Sequence, residues 1–208
     1  MINDYRNTKY CPKLANLGKK KKNVEKAVKN NHKRAVDMHC YISDNAKRYK
    51  RLFAGAYNNK CAYCGVSLDV LGLTEFEIDH IIPKSSARFK TKADAGYMDN
   101  LTLACYNCNR KKDDFDIGDQ DRYKVNPDGV DICNSFTRNE DYYIKISESC
   151  LNDPSVHAFY DKIGFGEQVH RLDYLLINMI GLREYLKGQS TMYMKLNQAI
   201  ELIRKKRG

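Results

Sequence analysis

The chain has 208 residues, 42% hydrophobic and 30% charged, enough for one domain of ordinary size or a small core with helical additions. Its longest apolar runs are a few residues, which excludes a membrane-spanning helix, and residues 1–6 lack the apolar stretch of a secretory signal, so a cytoplasmic protein is expected. The net charge of +10 is unevenly placed: residues 1–60 carry 16 Lys/Arg against 4 Asp/Glu, whereas residues 61–208 carry 20 against 22. A segment so basic suits approach to a polyanion such as DNA or RNA, the plainer alternative being a solvated lysine-rich arm.

Residues 1–23 read as a leading arm, with Pro12 and Gly18 as helix breakers and Lys19-Lys20-Lys21-Lys22 as a dense charge run. Helical spacing follows from Val24 to Phe53, with Ser43-Asp44 placed to cap a break between two helices. Residues 73–81 have the β-branched and aromatic content of a strand, ended by Pro83, with Phe76, Ile78 and His80 on one side. Residues 101–104 form a short apolar segment, and a short helix is expected from Asn107 or Cys108. Residues 113–141 read as loops with a short strand among them, and residues 142–146 as a strand. Asn152-Asp153-Pro154 is a helix start that Gly164 and Gly166 interrupt. Two further helices are expected, over 168–186 with Gly188 as its stop, and over 190–204. This divides the chain into a basic N-terminal arm with helices (1–60), a compact motif unit (61–112) and a helical C-terminal part (113–208).

Eight cysteines in a reducing compartment favour metal ligation over disulfides. Cys61 and Cys64 form one CxxC pair and Cys105 and Cys108 another. A tight turn brings both sulfurs of such a pair to one side, so the two together suit one tetrahedral zinc. Four protein ligands leave no open position, which makes this a structural Zn2+. A redox pair is disfavoured, because neither CxxC opens a βαβ pattern. Cys11, Cys40, Cys133 and Cys150 lack ligand spacing and read as free thiols or small buried hydrophobes.

Between the knuckles lie Asp79-His80 and Asn100, and Asn109 follows the last cysteine. Asp79 is a hard oxygen ligand for Mg2+ or a similar ion, and Asn109 offers a second oxygen. His80 is the residue type that accepts a proton from water near neutral pH, and Asn100 is placed to orient it. Consecutive strand residues project to opposite faces, so a bend near Ile81-Ile82-Pro83 is needed for Asp79 and His80 to border one site.

The order Cys-x-x-Cys, Ile-Asp-His-Ile-Ile-Pro-Lys-Ser, Asp-Asn-Leu, Cys-x-x-Cys-Asn-x-x-Lys resembles the HNH endonuclease family in its zinc-containing, McrA-like form, over about a quarter of the chain. The resemblance implies an α+β fold: a ββα-metal core braced by the four-cysteine zinc site and flanked by N- and C-terminal helices. It implies Asp79 and Asn109 as ligands of a catalytic ion, His80 as general base, Asn100 as the holder of the His80 backbone or ring, and Lys112 as a phosphate contact. Many members carry His where this chain has Asn109. Loss of an imidazole shifts metal preference towards Mg2+ or Mn2+.

The expected partner is DNA, reached through Lys19, Lys20, Lys21, Lys22, Lys33 and Arg34 in the basic flank and Lys84, Arg110, Lys111 and Lys112 in the core. More weakly, the layout around Asn152-Asp153-Pro154, Gly164-Phe165-Gly166 and Gly181-Leu182-Arg183 resembles small nuclease subunits of anti-phage systems of the Septu type, which pair with an ATPase. The apolar stripe of the C-terminal helices reads first as core and second as a homodimer or partner interface. Three roles stay open on sequence: a stand-alone restriction or homing endonuclease, an ATPase-governed nuclease subunit, and a non-catalytic zinc module that binds nucleic acid.

Overall fold

The computed structural model describes residues 4–11, 13–43, 48–187 and 190–207. The basic N-terminal region folds into α1 (Leu17–Asn31), α2 (Met38–Ile42) and α3 (Arg48–Ala56). The lysine run is therefore the first turns of a helix. Gly18 does not break it: α1 runs through it, since a glycine costs a helix only about 1 kcal/mol relative to alanine. Pro12, Asp44 and Gly188, expected breakers and caps, lie outside the described residues.

The expected strand over 73–81 is shorter. Residues 73–75 form a 3-10 turn and β1 spans Phe76–His80, paired antiparallel with β2 (Leu101–Cys105) from Phe76↔Cys105 to His80↔Leu101. Helix α4 (Tyr106–Lys112) starts directly at the end of β2, completing a ββα unit. Residues 113–141, expected to be loops with a short strand, also contain two single-turn helices, α5 (Arg122–Val125) and α6 (Ile132–Ser135); the short strand is β3 (Phe136–Arg138), which pairs antiparallel with β4 (Ile144–Ile146). Helix α7 (Pro154–Ile163) begins as its sequence requires: Asp153 accepts hydrogen bonds from the Ser155 and Val156 amides at 3.0 and 3.3 Å, and Pro154 occupies the first turn. Gly164, at φ 71°, closes it in the left-handed conformation. Helices α8 (Gln168–Tyr185) and α9 (Ser190–Arg207) then pair as a hairpin.

One buried cluster runs from Tyr5 through Val24, Val28, Phe53 and Tyr57 to Phe76, Leu103, Phe136 and Phe165, so the flanks and the ββα unit share a core. A small second cluster of Leu176, Ile180 and Ile200 lies between α8 and α9. No helix among the described residues is long and apolar enough to cross a membrane.

The N-terminal flank docks through charge as well as apolar area. Lys21, on the inner face of α1 with Val24 and Val28, is 3% exposed; its ammonium donates to the Leu101 carbonyl at 2.8 Å and to Asp128 at 2.6 Å. Asp128 also accepts from Tyr57 and Thr102. Lys21 thus differs from the expected nucleic-acid contact: its charge is spent inside the fold.

Candidate active site and zinc centre

The four sulfurs of Cys61, Cys64, Cys105 and Cys108 lie within 4.8 Å of one another, all buried, with Cys64 and Cys105 Sγ 3.8 Å apart. A zinc–sulfur distance of about 2.3 Å gives a tetrahedron edge of about 3.8 Å, so the donor set fits Zn2+. Burial pushes the Cys64 and Cys108 thiols well up, and a cation among them is what makes the thiolate set affordable. Local chemistry builds the knuckles. Gly65 sits at φ 84° with the Arg6 carbonyl 2.6 Å from where a Cβ would stand, so only glycine passes there. The first knuckle is held from both flanks: Tyr5 Oη donates to the Tyr63 carbonyl at 2.5 Å, Arg6 to Ala62 at 2.7 Å, and Arg138 to Cys64 at 3.2 Å. Cys105 ends β2 and Cys108 lies in the first turn of α4, so the metal site also fixes the helix against the hairpin.

Strand alternation places Glu77 and Asp79 towards α4. Asp79, 5% exposed, accepts from Tyr63 Oη at 2.6 Å and from Lys112 Nζ at 3.2 Å. Burial raises its carboxyl above the usual range, opposed by Lys112 and Tyr63. Glu77 accepts from Asn109 Nδ2 at 2.6 Å and Arg110 at 2.8 Å. An ionised carboxylate only accepts, so the Asn109 amide nitrogen must face Glu77 and its Oδ1 is left for another partner. His80 points the other way, onto α2: its ring lies 4.5 Å from the His39 ring at 35°. Burial, with His39 and Lys84 beside it, pushes His80 down to about 3.

These side chains nonetheless border one cleft of about 640 Å³, lined by Glu77, Asp79, His80 and Asn109 on the strand–helix floor and by Lys50, Lys84, Lys92 and Arg110 among its cations. Its oxygen donors suit a hard divalent ion. Among the described residues, the cysteine quartet is the one group of three or more His, Cys, Asp or Glu close enough to share a metal. At the cleft itself the nearby oxygen donors are the Asp79 carboxylate and the Asn109 amide oxygen.

Residues 61–115 match the family model described as HNH endonuclease. The chain carries an HNH domain. Most of the cleft's lining, from Thr74 to Asp114, falls within that domain, beside a cysteine cluster suited to zinc. No curated protein and no solved structure matches the chain.

Two HNH residues sit differently from their expected roles. Asn100 does not hydrogen-bond His80: its side chain accepts from the Ile82 amide at 2.8 Å and donates to the Ile82 and Ala95 carbonyls at 3.0 and 2.9 Å, tying down the loop after β1. Lys112, expected on phosphate, is 3% exposed and donates to the His80 carbonyl at 2.9 Å. Of the other expected nucleic-acid contacts, Lys19, Lys22, Lys33, Arg34 and Lys84 are exposed. Lys20 donates to Asn58, Arg110 binds Glu77 while its side chain stays 61% exposed, and Lys111 pairs with Glu167. Sequence reasoning missed His39 and Glu77. The period-2 alternation that puts Glu77 on the Asp79 face was the available signal for the latter.

Proposed function

We propose that the chain is a metal-dependent DNA endonuclease in which His80 is the general base and Asp79 and Asn109 hold the divalent ion, Mg2+ or Mn2+. What supports this is the convergence of Asp79, His80 and Asn109 on one cleft with Lys84, Lys92 and Arg110 around it. Asp79 keeps lone pairs beyond those taken by Tyr63 and Lys112, and the Asn109 oxygen is freed by Glu77. When bound, the ion supplies positive charge for the scissile phosphate and the leaving oxygen. His80, at the cleft wall, takes the proton of the attacking water at its ring nitrogen; burial favours the neutral ring, the form that can accept it. Lys84, exposed beside it, meets backbone phosphate. Asn100 keeps the loop behind His80 from drifting.

Nicking of supercoiled plasmid with Mg2+ or Mn2+, with and without chelator, tests the reading. Activity should need the ion and be lost in His80→Ala. Cutting at the wild-type rate by His80→Ala would overturn the assignment. DNA binding without any cutting would favour the non-catalytic module. We place the nuclease in phage defence, as the subunit of an ATPase-containing complex; strong site-specific cutting by the purified chain alone would return it to the stand-alone restriction or homing reading.

A further inference from the structure

We infer that His39, on α2 and outside the matched segment, is a positioning residue that fixes the His80 imidazole by packing ring against ring; the inference rests on His80 being the reacting base. His39 stands 22 positions before the first zinc cysteine, yet the fold delivers it to the cleft by three anchors. Met38 and Ile42, its neighbours on α2, are 1% and 0% exposed. Asp37 lies so close to Gly96 that a Cβ there would stand 1.9 Å from its carboxylate oxygen, which seats α2 on the loop between the strands. The third anchor is on β1 itself: His39 Nε2 lies 3.2 Å from the Ile78 carbonyl, as a donor, two residues from His80. The donor assignment leaves Nδ1 as acceptor; Ser43 Oγ, 3.5 Å away, gives its hydroxyl proton to the His39 carbonyl at 2.6 Å.

Tied to β1 in this way, the His39 ring moves with the strand that carries His80, and its face lies 4.5 Å from the His80 ring. His80 is 6% exposed, so its ring orientation is set by what packs on it. The His39 ring covers one side of it, and removing that ring opens space into which the imidazole can turn. His39 makes no hydrogen bond to His80, so it does not relay a proton; it acts through geometry. Misplacement of a reacting group by about 1 Å can cost roughly 100-fold in rate, which sets the scale of what such packing protects.

The full-length, zinc-loaded chain is compared as wild type, His39→Ala, His39→Phe and His39→Gln. Phe keeps a flat ring but loses the Ile78 bond; Gln keeps a donor but no ring. Plasmid nicking should show kcat falling roughly 10- to 100-fold in His39→Ala and His39→Gln with KM little changed, and staying within about threefold in His39→Phe. Diethylpyrocarbonate labelling, mapped by peptide mass spectrometry, provides a readout that does not depend on cutting: His80 should label several-fold faster in the Ala and Gln variants than in wild type or His39→Phe. Equal His80 labelling in all four folded proteins overturns the inference, as does loss of kcat in His39→Phe equal to that in His39→Ala. If His39→Ala does not fold, the Phe and Gln pair decides. Absence of His80-dependent nicking in wild type sinks the nuclease reading, while the labelling still decides whether His39 restrains His80.

Discussion

Lys112 Nζ lies 2.9 Å from the carbonyl oxygen of His80 and 3.2 Å from Asp79, so the last turn of α4 is bonded to the residues of β1 that border the cleft. The cysteine quartet, suited to zinc, holds the other end of the same helix at Cys108. Strand and helix are thus pinned at two points, and the cleft between them keeps its shape without a large apolar interface. The bond to the His80 backbone that sequence reasoning gave to Asn100 belongs to this lysine.

Removing Lys112 should therefore act on stability before it acts on DNA. Lys112→Met leaves Asp79 buried with one donor fewer, and breaking a buried ion pair costs about 3–5 kcal/mol. Urea denaturation should show a loss on this scale. The slope of log affinity against log salt should stay as in wild type, because a phosphate contact would lower it by about one and Lys112 is not one. A changed salt slope with unchanged stability would return Lys112 to the DNA surface.

Neighbouring lysines on α1 should separate in the same way. Lys21→Ala strips the buried partner of Asp128 and of the Leu101 carbonyl, and should cost about 3 kcal/mol. Lys22→Ala, exposed, should change stability by less than about 0.5 kcal/mol. Thermal or urea melts of the two variants read the difference directly; equal losses would contradict the buried assignment.

The HNH segment was legible because its chemistry is local in sequence: two CxxC turns and a strand each carry their own signal. The lysines were misread for a reason of the opposite kind. Lys21 lies three residues before Val24, and Lys112 four after Cys108, so helical spacing puts both on inner faces, yet charge alone assigns them to solvent. What rescues them is a partner remote in sequence, Asp128 or Asp79, that no spacing rule reveals. His39 was hidden likewise: its partner is 41 residues downstream, and the single-turn helix that carries it has no periodicity to read.

Zinc removal should undo more than the knuckles. Cys105→Ser removes one of four buried thiolate donors at the junction of β2 and α4, and structural zinc sites contribute folding free energy outright. The variant should lose bound zinc, measured by atomic absorption, together with its near-ultraviolet circular dichroism. A zinc-free Cys105→Ser protein with native near-ultraviolet signal would show that the quartet does not brace the fold.

His170 makes stability depend on pH. Its ring is 1% exposed, neither nitrogen has a hydrogen-bond partner, and burial pushes it from 6.5 down to about 4. The neutral form is the one the fold accepts. As pH falls below about 6.5 the unfolded chain takes up a proton that the folded chain refuses, so stability contributed above that pH is lost progressively down to about 4. The shift corresponds to about 3 kcal/mol at 1.4 kcal/mol per unit. Urea midpoints measured between pH 4 and 7.5 should fall with acid in wild type, and fall less in His170→Leu, whose apolar side chain has no proton to take. Parallel pH curves for the two proteins would place the acid sensitivity elsewhere.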